Sequence, residues 1–83
     1  MTRLLTQGDL VRIPQGVELY KEQKHIEPPV EYRSIDLEKQ TDKQLYGIYN
    51  KKVDIVDYVE VIIEGASWLV KTEDVYKGDN YAD

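Results

Sequence analysis

Apolar and polar residues alternate most clearly over residues 58–64. Val59, Val61 and Ile63 fall on one face, and Tyr58, Glu60, Ile62 and Glu64 on the other. A period of two marks a strand with one buried side. Residues 10–13 repeat the pattern in short form, with Val11 and Ile13 together and Arg12 opposite. Gly8-Asp9 turns the chain into this strand. Pro14 closes it, because proline has no N–H for a ladder, and Gln15-Gly16 supplies the next turn. Residues 17–21 predict a second extended piece, with either Val17 and Leu19 inward or Glu18 and Tyr20 paired outward. Residues 22–31 are polar and hold Pro28-Pro29, which predicts a loop.

Residues 32–43 admit a helix starting near Ser34 or a strand. Tyr32, Ser34 and Asp36 alternate with Arg33, Ile35 and Leu37, which favours the strand. Thr41-Asp42-Lys43 then turns the chain. Residues 45–50 predict a strand around Gly47, where a glycine marks a bulge or a tight barrel bend. Residues 51–57 read as a connector with strand character at Val53 and Ile55. Glu64-Gly65-Ala66-Ser67 predicts a tight hairpin turn that brings residues 68–71 back against residues 58–64. Thr72 is placed to cap one helical turn, with Glu73 and Asp74 at its positive end. The expected organisation is one all-β domain over residues 1–77 and a polar tail over residues 78–83.

Five short strands, a long loop after the first, a tight distal hairpin and one helical turn resemble a small Src-homology-3-like barrel. Gly8-Asp9-Leu10-Val11-Arg12-Ile13-Pro14 is similar to the opening strand of KOW-type and phage-encoded barrels. Tyr46-Gly47-Ile48-Tyr49-Asn50-Lys51 resembles their central strand. The hairpin ending in Glu64-Gly65, followed by Trp68-Leu69-Val70 and Thr72-Glu73-Asp74-Val75, resembles their closing hairpin and terminal turn. The resemblance implies a five-stranded barrel of the kind that tailed bacteriophages encode, and a virion or assembly role. Two functional signatures of such barrels differ here. Glu18-Leu19-Tyr20-Lys21 keeps only Leu-Tyr of the Ala-Leu-Tyr-Asp-Tyr stretch of polyproline-binding domains. The loop over residues 15–44 lacks the glycine- and base-rich character of RNA-binding KOW modules.

Composition agrees with a sheet. Val and Ile number 16 and Tyr 7, against 2 Ala, in 83 residues, and β-branched and aromatic residues suit a pleated, half-buried surface. The absence of cysteine excludes disulfides, thiolate metal sites and thiol nucleophiles. No apolar run nears the roughly 20 residues of a membrane span, and no signal-like segment follows Met1. A cytoplasmic or virion location is expected. The net charge of −5 is unevenly placed. Residues 1–53 carry nine basic and eight acidic side chains, residues 54–83 two and eight. Such acidity opposes approach to nucleic-acid phosphate. It leaves either a solvated face or an acidic docking face for a basic partner.

Chemistry is sparse. His25 is the single histidine, and its spacing to Glu27 matches only a fragment of a zinc motif. Neither Ser34 nor Ser67 stands in a nucleophile elbow. Asp54, Asp57 and Glu60, like Glu73, Asp74 and Asp79, form carboxylate groups without a calcium-loop pattern. No cofactor, metal or enzymatic activity is expected. The aromatic residues remain: Tyr20, Tyr49, Tyr58 and Trp68 either cap a small core or form an interaction patch, to which Glu60 and Glu64 add charge. The expected function is a non-enzymatic protein-interaction module, with a phage structural or basic host protein as partner, self-association included and no membrane contact. It would act by burying that patch or by sheet-edge addition along Leu10–Ile13 or residues 68–71. The alternative is an acidic nucleic-acid mimic, which predicts the eight carboxylates of residues 54–83 on one face at phosphate-like spacing; alternation over residues 58–64 places Glu60 and Glu64 together, which permits this without requiring it. A nucleic-acid-binding barrel would instead need Arg33, Lys43, Lys51 and Lys52 on one face.

Overall fold

A computed structural model describes residues 5–78. The chain is all-β: β1 (Leu10–Ile13), β2 (Glu18–Glu27), β3 (Val30–Gln40), β4 (Leu45–Lys52), β5 (Tyr58–Ile63), β6 (Ala66–Lys71), a 3-10 turn η1 (Thr72–Asp74) and β7 (Tyr76–Lys77). They form one open antiparallel sheet in the order β3-β2-β6-β5-β4-β1-β7. Among the described residues the strands therefore number seven, and a hairpin stands where the long loop was expected. Residues 22–31 continue β2, turn at Pro28-Pro29 and return as β3, paired from Glu27↔Val30 to Glu18↔Gln40. Alternation favoured the strand over residues 32–43 but missed residues 22–27 of β2, where both faces of the hairpin meet water along most of its length.

The core explains the other strands. Val11, Ile13, Val17, Leu19, Tyr49, Val59, Val61, Ile63, Val70 and Val75 make one buried cluster, with Leu5, Leu45 and Trp68 packed against it. β1 and β5 give alternate residues to it, as period two requires, and β2, β4 and β6 give Leu19, Tyr49 and Val70. β4 serves two partners: its first half pairs with β1 and its second half with β5. Gly47 sits near this handover. A Cβ there would meet the Ile62 carbonyl oxygen at 2.7 Å and Val61 Cγ1 at 2.9 Å. The glycine is needed for close approach, and the register irregularity of β4 falls later, between Tyr49 and Lys51. Glu64-Gly65 forms the two-residue turn of β5–β6, both residues having positive φ, as the right-handed twist of a tight hairpin favours.

The turn at residues 72–74 forms as 3-10 helix. Its cap position is Lys71, with no side-chain cap hydrogen bond, so Thr72 opens the turn instead of capping it. The Gly78 N–H donates to the Leu10 carbonyl at 2.9 Å, which ties the start of the expected tail to β1. Residues 79–83 lie outside the described residues.

Beyond the body, β2 and β3 project as an arm. The Cα extents are 51 × 26 × 22 Å. β2 touches β6 at Tyr20↔Leu69 and then leaves it. At this point Leu19 pairs with Lys39 and Tyr20 with Leu37, so Glu38 is an extra residue on β3. Such a bulge bends the strand and sharpens its twist.

Candidate functional site

The arm's departure opens a groove between β2 and the β5–β6 hairpin, of about 240 Å³, lined by Tyr20, Lys21, Glu22, Glu60, Ser67, Trp68 and Leu69. Tyr20 and Tyr58 meet edge to face, with ring centroids 5.3 Å apart and planes at 88°, an arrangement that aromatic quadrupoles favour. Tyr58 in turn lines a second cleft of about 580 Å³ with Val56, Asp57, Lys71, Thr72 and Glu73. The tyrosine pair thus stands between two concavities. Val56, 82% exposed, is the apolar residue at the rim of the second.

Local chemistry fixes these side chains. The Tyr20 hydroxyl donates to Glu18 Oε1 at 2.7 Å. That bond, together with lesser burial, holds the phenol above its ordinary pKa of 10.0. The same bond, with Lys71 3.6 Å from the carboxylate, holds Glu18 below its ordinary 4.5. Asn50 donates its amide N–H to Glu60. Lys21 is held at the Trp68 side of the groove: its ammonium donates to the Ser67 carbonyl and lies 4.1 Å from the Trp68 ring centroid. Lys39 covers the same ring at 5.0 Å. Two carboxylates, Glu22 and Glu60, thus line the groove with one ammonium, Lys21, and Glu22 also receives Arg33 at 3.0 Å. Arg33 bridges to Asp54 at 3.0 Å as well, tying the arm to the 53–57 segment. Its guanidinium holds Asp54 below the usual carboxylate range.

The aromatic set divides. Tyr20, Tyr58, Trp68 and Glu60 come together around the arm's base. Tyr49 is 8% exposed and belongs to the core, because Gly47 and Tyr49 are the inward residues of β4. It offers no surface to a partner. Glu64 does not join Glu60 either. β5 ends at Ile63, and Glu64 is a turn residue with φ of 52°, so the alternation that would align the two has stopped. Trp68 faces the core side beside Val70, roofed by two lysines from the arm.

The expected edges also change. Leu10–Ile13 lies between β4 and β7, and β6 is paired with β5 along its length. Among the described residues the sheet ends at the two-residue β7 on one side and at β3 on the other, and β3 is the long strand with no neighbour on its outer side. Sequence reasoning favoured a strand over residues 32–43 but placed a loop at residues 22–31, so the pairing that leaves β3 at an edge was not visible to it. His25 sits on the arm, stacked on Tyr32 with centroids 4.6 Å apart and hydrogen-bonded to Ser34 Oγ at 2.9 Å. Among the described residues no three His, Asp or Glu side chains converge as a metal-binding group. Comparison with protein-family models, with curated proteins and with solved structures finds no match to this chain.

Proposed function

We propose that this chain is a non-enzymatic protein-contact module that takes an extended, basic and partly apolar segment of a partner at the base of its arm. The observation that carries the reading is the Tyr20–Tyr58 pair standing between two open concavities, with Glu22 and Glu60 on one side and Val56 on the other. Rigid aromatic side chains supply contact area at low entropic cost, and carboxylates at the rim steer a basic segment inward. The body is read as a Src-homology-3-like barrel carrying the arm as an insertion. Supporting this are the neighbour relations β7-β1-β4-β5-β6, the tight β5–β6 hairpin and η1 between β6 and β7. Resemblance to phage-encoded small barrels supports a virion or assembly role for the contact, with a basic structural or host protein as partner.

The test is peptide display on the intact chain, followed by NMR mapping of the selected peptides. Peptides rich in Lys or Arg beside aliphatic residues are expected, with shifts at Tyr20, Tyr58 and Glu60. Tyr58→Ala should weaken them about tenfold or more, the scale of a hot spot, and salt should weaken them further. Selection of acidic peptides, of none, or of peptides that shift only distant residues overturns the reading.

A further inference from the structure

We propose that the arm is a self-association element: the tips of two copies pair edge to edge along β3, antiparallel, about a two-fold axis at Tyr32. This does not rest on the groove at the arm's base.

The β3 edge is unpaired over the whole arm, while a lone two-stranded hairpin is marginal in water. The tip is also apolar for an exposed segment, with Ile26 63%, Val30 55% and Tyr32 48% exposed. An uncovered edge of this kind is a template for another strand.

Charge selects a second copy as that strand. Within one chain Lys24 stands directly opposite Arg33, a like-charge pair that costs stability. Each cation leans away to a carboxylate: Lys24 to Glu31 at 3.3 Å, Arg33 to Glu22 and Asp54 at 3.0 Å. With the axis at Tyr32, Arg33 of each copy faces Glu31 of the other, and Val30 faces Ser34. A further carboxylate then enters each Lys24–Arg33 row. On the opposite face the stacked His25–Tyr32 pair meets its own symmetry mate, giving an aromatic row across four strands. Neighbouring registers lose this. An axis at Glu31 or at Arg33 opposes that residue to itself, and an axis at Ser34 or Ile35 leaves Arg33 opposite Ile35 or Leu37. A two-fold axis normal to the sheet keeps like faces together, so these are the registers open to it. The ladder is short, below the roughly 1,000 Å² of a stable interface, so the dimer is transient and concentration-dependent.

The absence of cysteine from the chain makes the test direct. Tyr32→Cys, Ser34→Cys and Ile35→Cys chains are oxidised at several concentrations, beside sedimentation equilibrium of the unmodified chain. The expected result is a reversible dimer and faster disulfide cross-linking through Tyr32→Cys than through either neighbour. Glu31→Arg should weaken the dimer about tenfold, since it acts at both symmetric positions, and Glu31→Arg with Arg33→Glu should restore it. Faster cross-linking at Ser34→Cys or Ile35→Cys overturns the register. A chain that stays monomeric at millimolar concentration, with no preferred cross-link, overturns the proposal and leaves the β3 edge to a different protein's strand.

Discussion

Thr41 does more than its place in an expected turn suggested. It is 6% exposed and uses every polar group it has. Its hydroxyl donates to the Pro14 carbonyl at 2.8 Å and accepts the Val17 N–H at 2.9 Å. Its own N–H donates to the Val17 carbonyl, and its carbonyl accepts the Gly16 N–H, both at 2.9 Å. These bonds clasp the two ends of the arm excursion. Thr41→Val keeps the shape and strands two backbone groups, so unfolding in urea should show a loss of about 1–3 kcal/mol. Acid should act on other residues. Asp9, which accepts the Thr6 N–H at 2.9 Å, is held below its ordinary 3.8, as Asp54 is by Arg33 and Glu18 by Tyr20. Folded values below unfolded ones mean stability that is present above the unfolded pKa and lost as pH falls through the folded one. Melting temperature should hold from neutrality to about pH 5 and decline below about pH 4. Asp9→Asn should make that decline shallower in calorimetry.

Among the elements, β4 depends most on one small side chain. Gly47→Ala would push a methyl group into the backbone of β5, since the contact at 2.7 Å is a carbonyl oxygen and not the end of a flexible side chain. A loss of about 1–3 kcal/mol is expected, read by denaturant titration. The glycine was legible in the sequence, as were β1, β5 and the Glu64-Gly65 turn, because each has one dry face or a turn residue with its own conformational demand. The partners of Gly47 were not legible, since nothing local encodes which strand lies across a bend. β2 and β3 show the opposite limit. Tyr32, Ser34 and Asp36 alternate with Arg33, Ile35 and Leu37, which marked residues 32–40 as extended. Lys24, Glu31 and Arg33 stabilise the rest of the arm through cross-strand pairs, and such pairs leave no periodic trace before the register is known. The candidate site was half legible for the same reason. Residue type pointed to Tyr20, Tyr58 and Trp68, but only the β4 geometry removes Tyr49.

At the scale of the molecule, a dry body carries a wet arm. The buried cluster belongs to the body strands and the first residues of β2, while the arm depends on hydrogen bonds, surface ion pairs and its own half-buried His25 and Ile35. Surface ion pairs contribute about 1 kcal/mol or less each. Two levels of opening should follow. Amide exchange should be fast along residues 22–36 and approach the global unfolding limit at Val11, Val61 and Val70. High salt should widen the gap by loosening the Arg33 bridge to Asp54.

The roof over Trp68 gives this division an optical consequence. The chain has one tryptophan, it packs on the body, and the two ammonium groups above its ring come from β2 and β3. The indole therefore sits at the joint between the two parts. Intrinsic fluorescence becomes a hinge gauge that needs no label. If the arm peels from the body, water and the loss of both cations shift the emission while the core tyrosine, Tyr49, stays covered. If the whole chain unfolds, both change together.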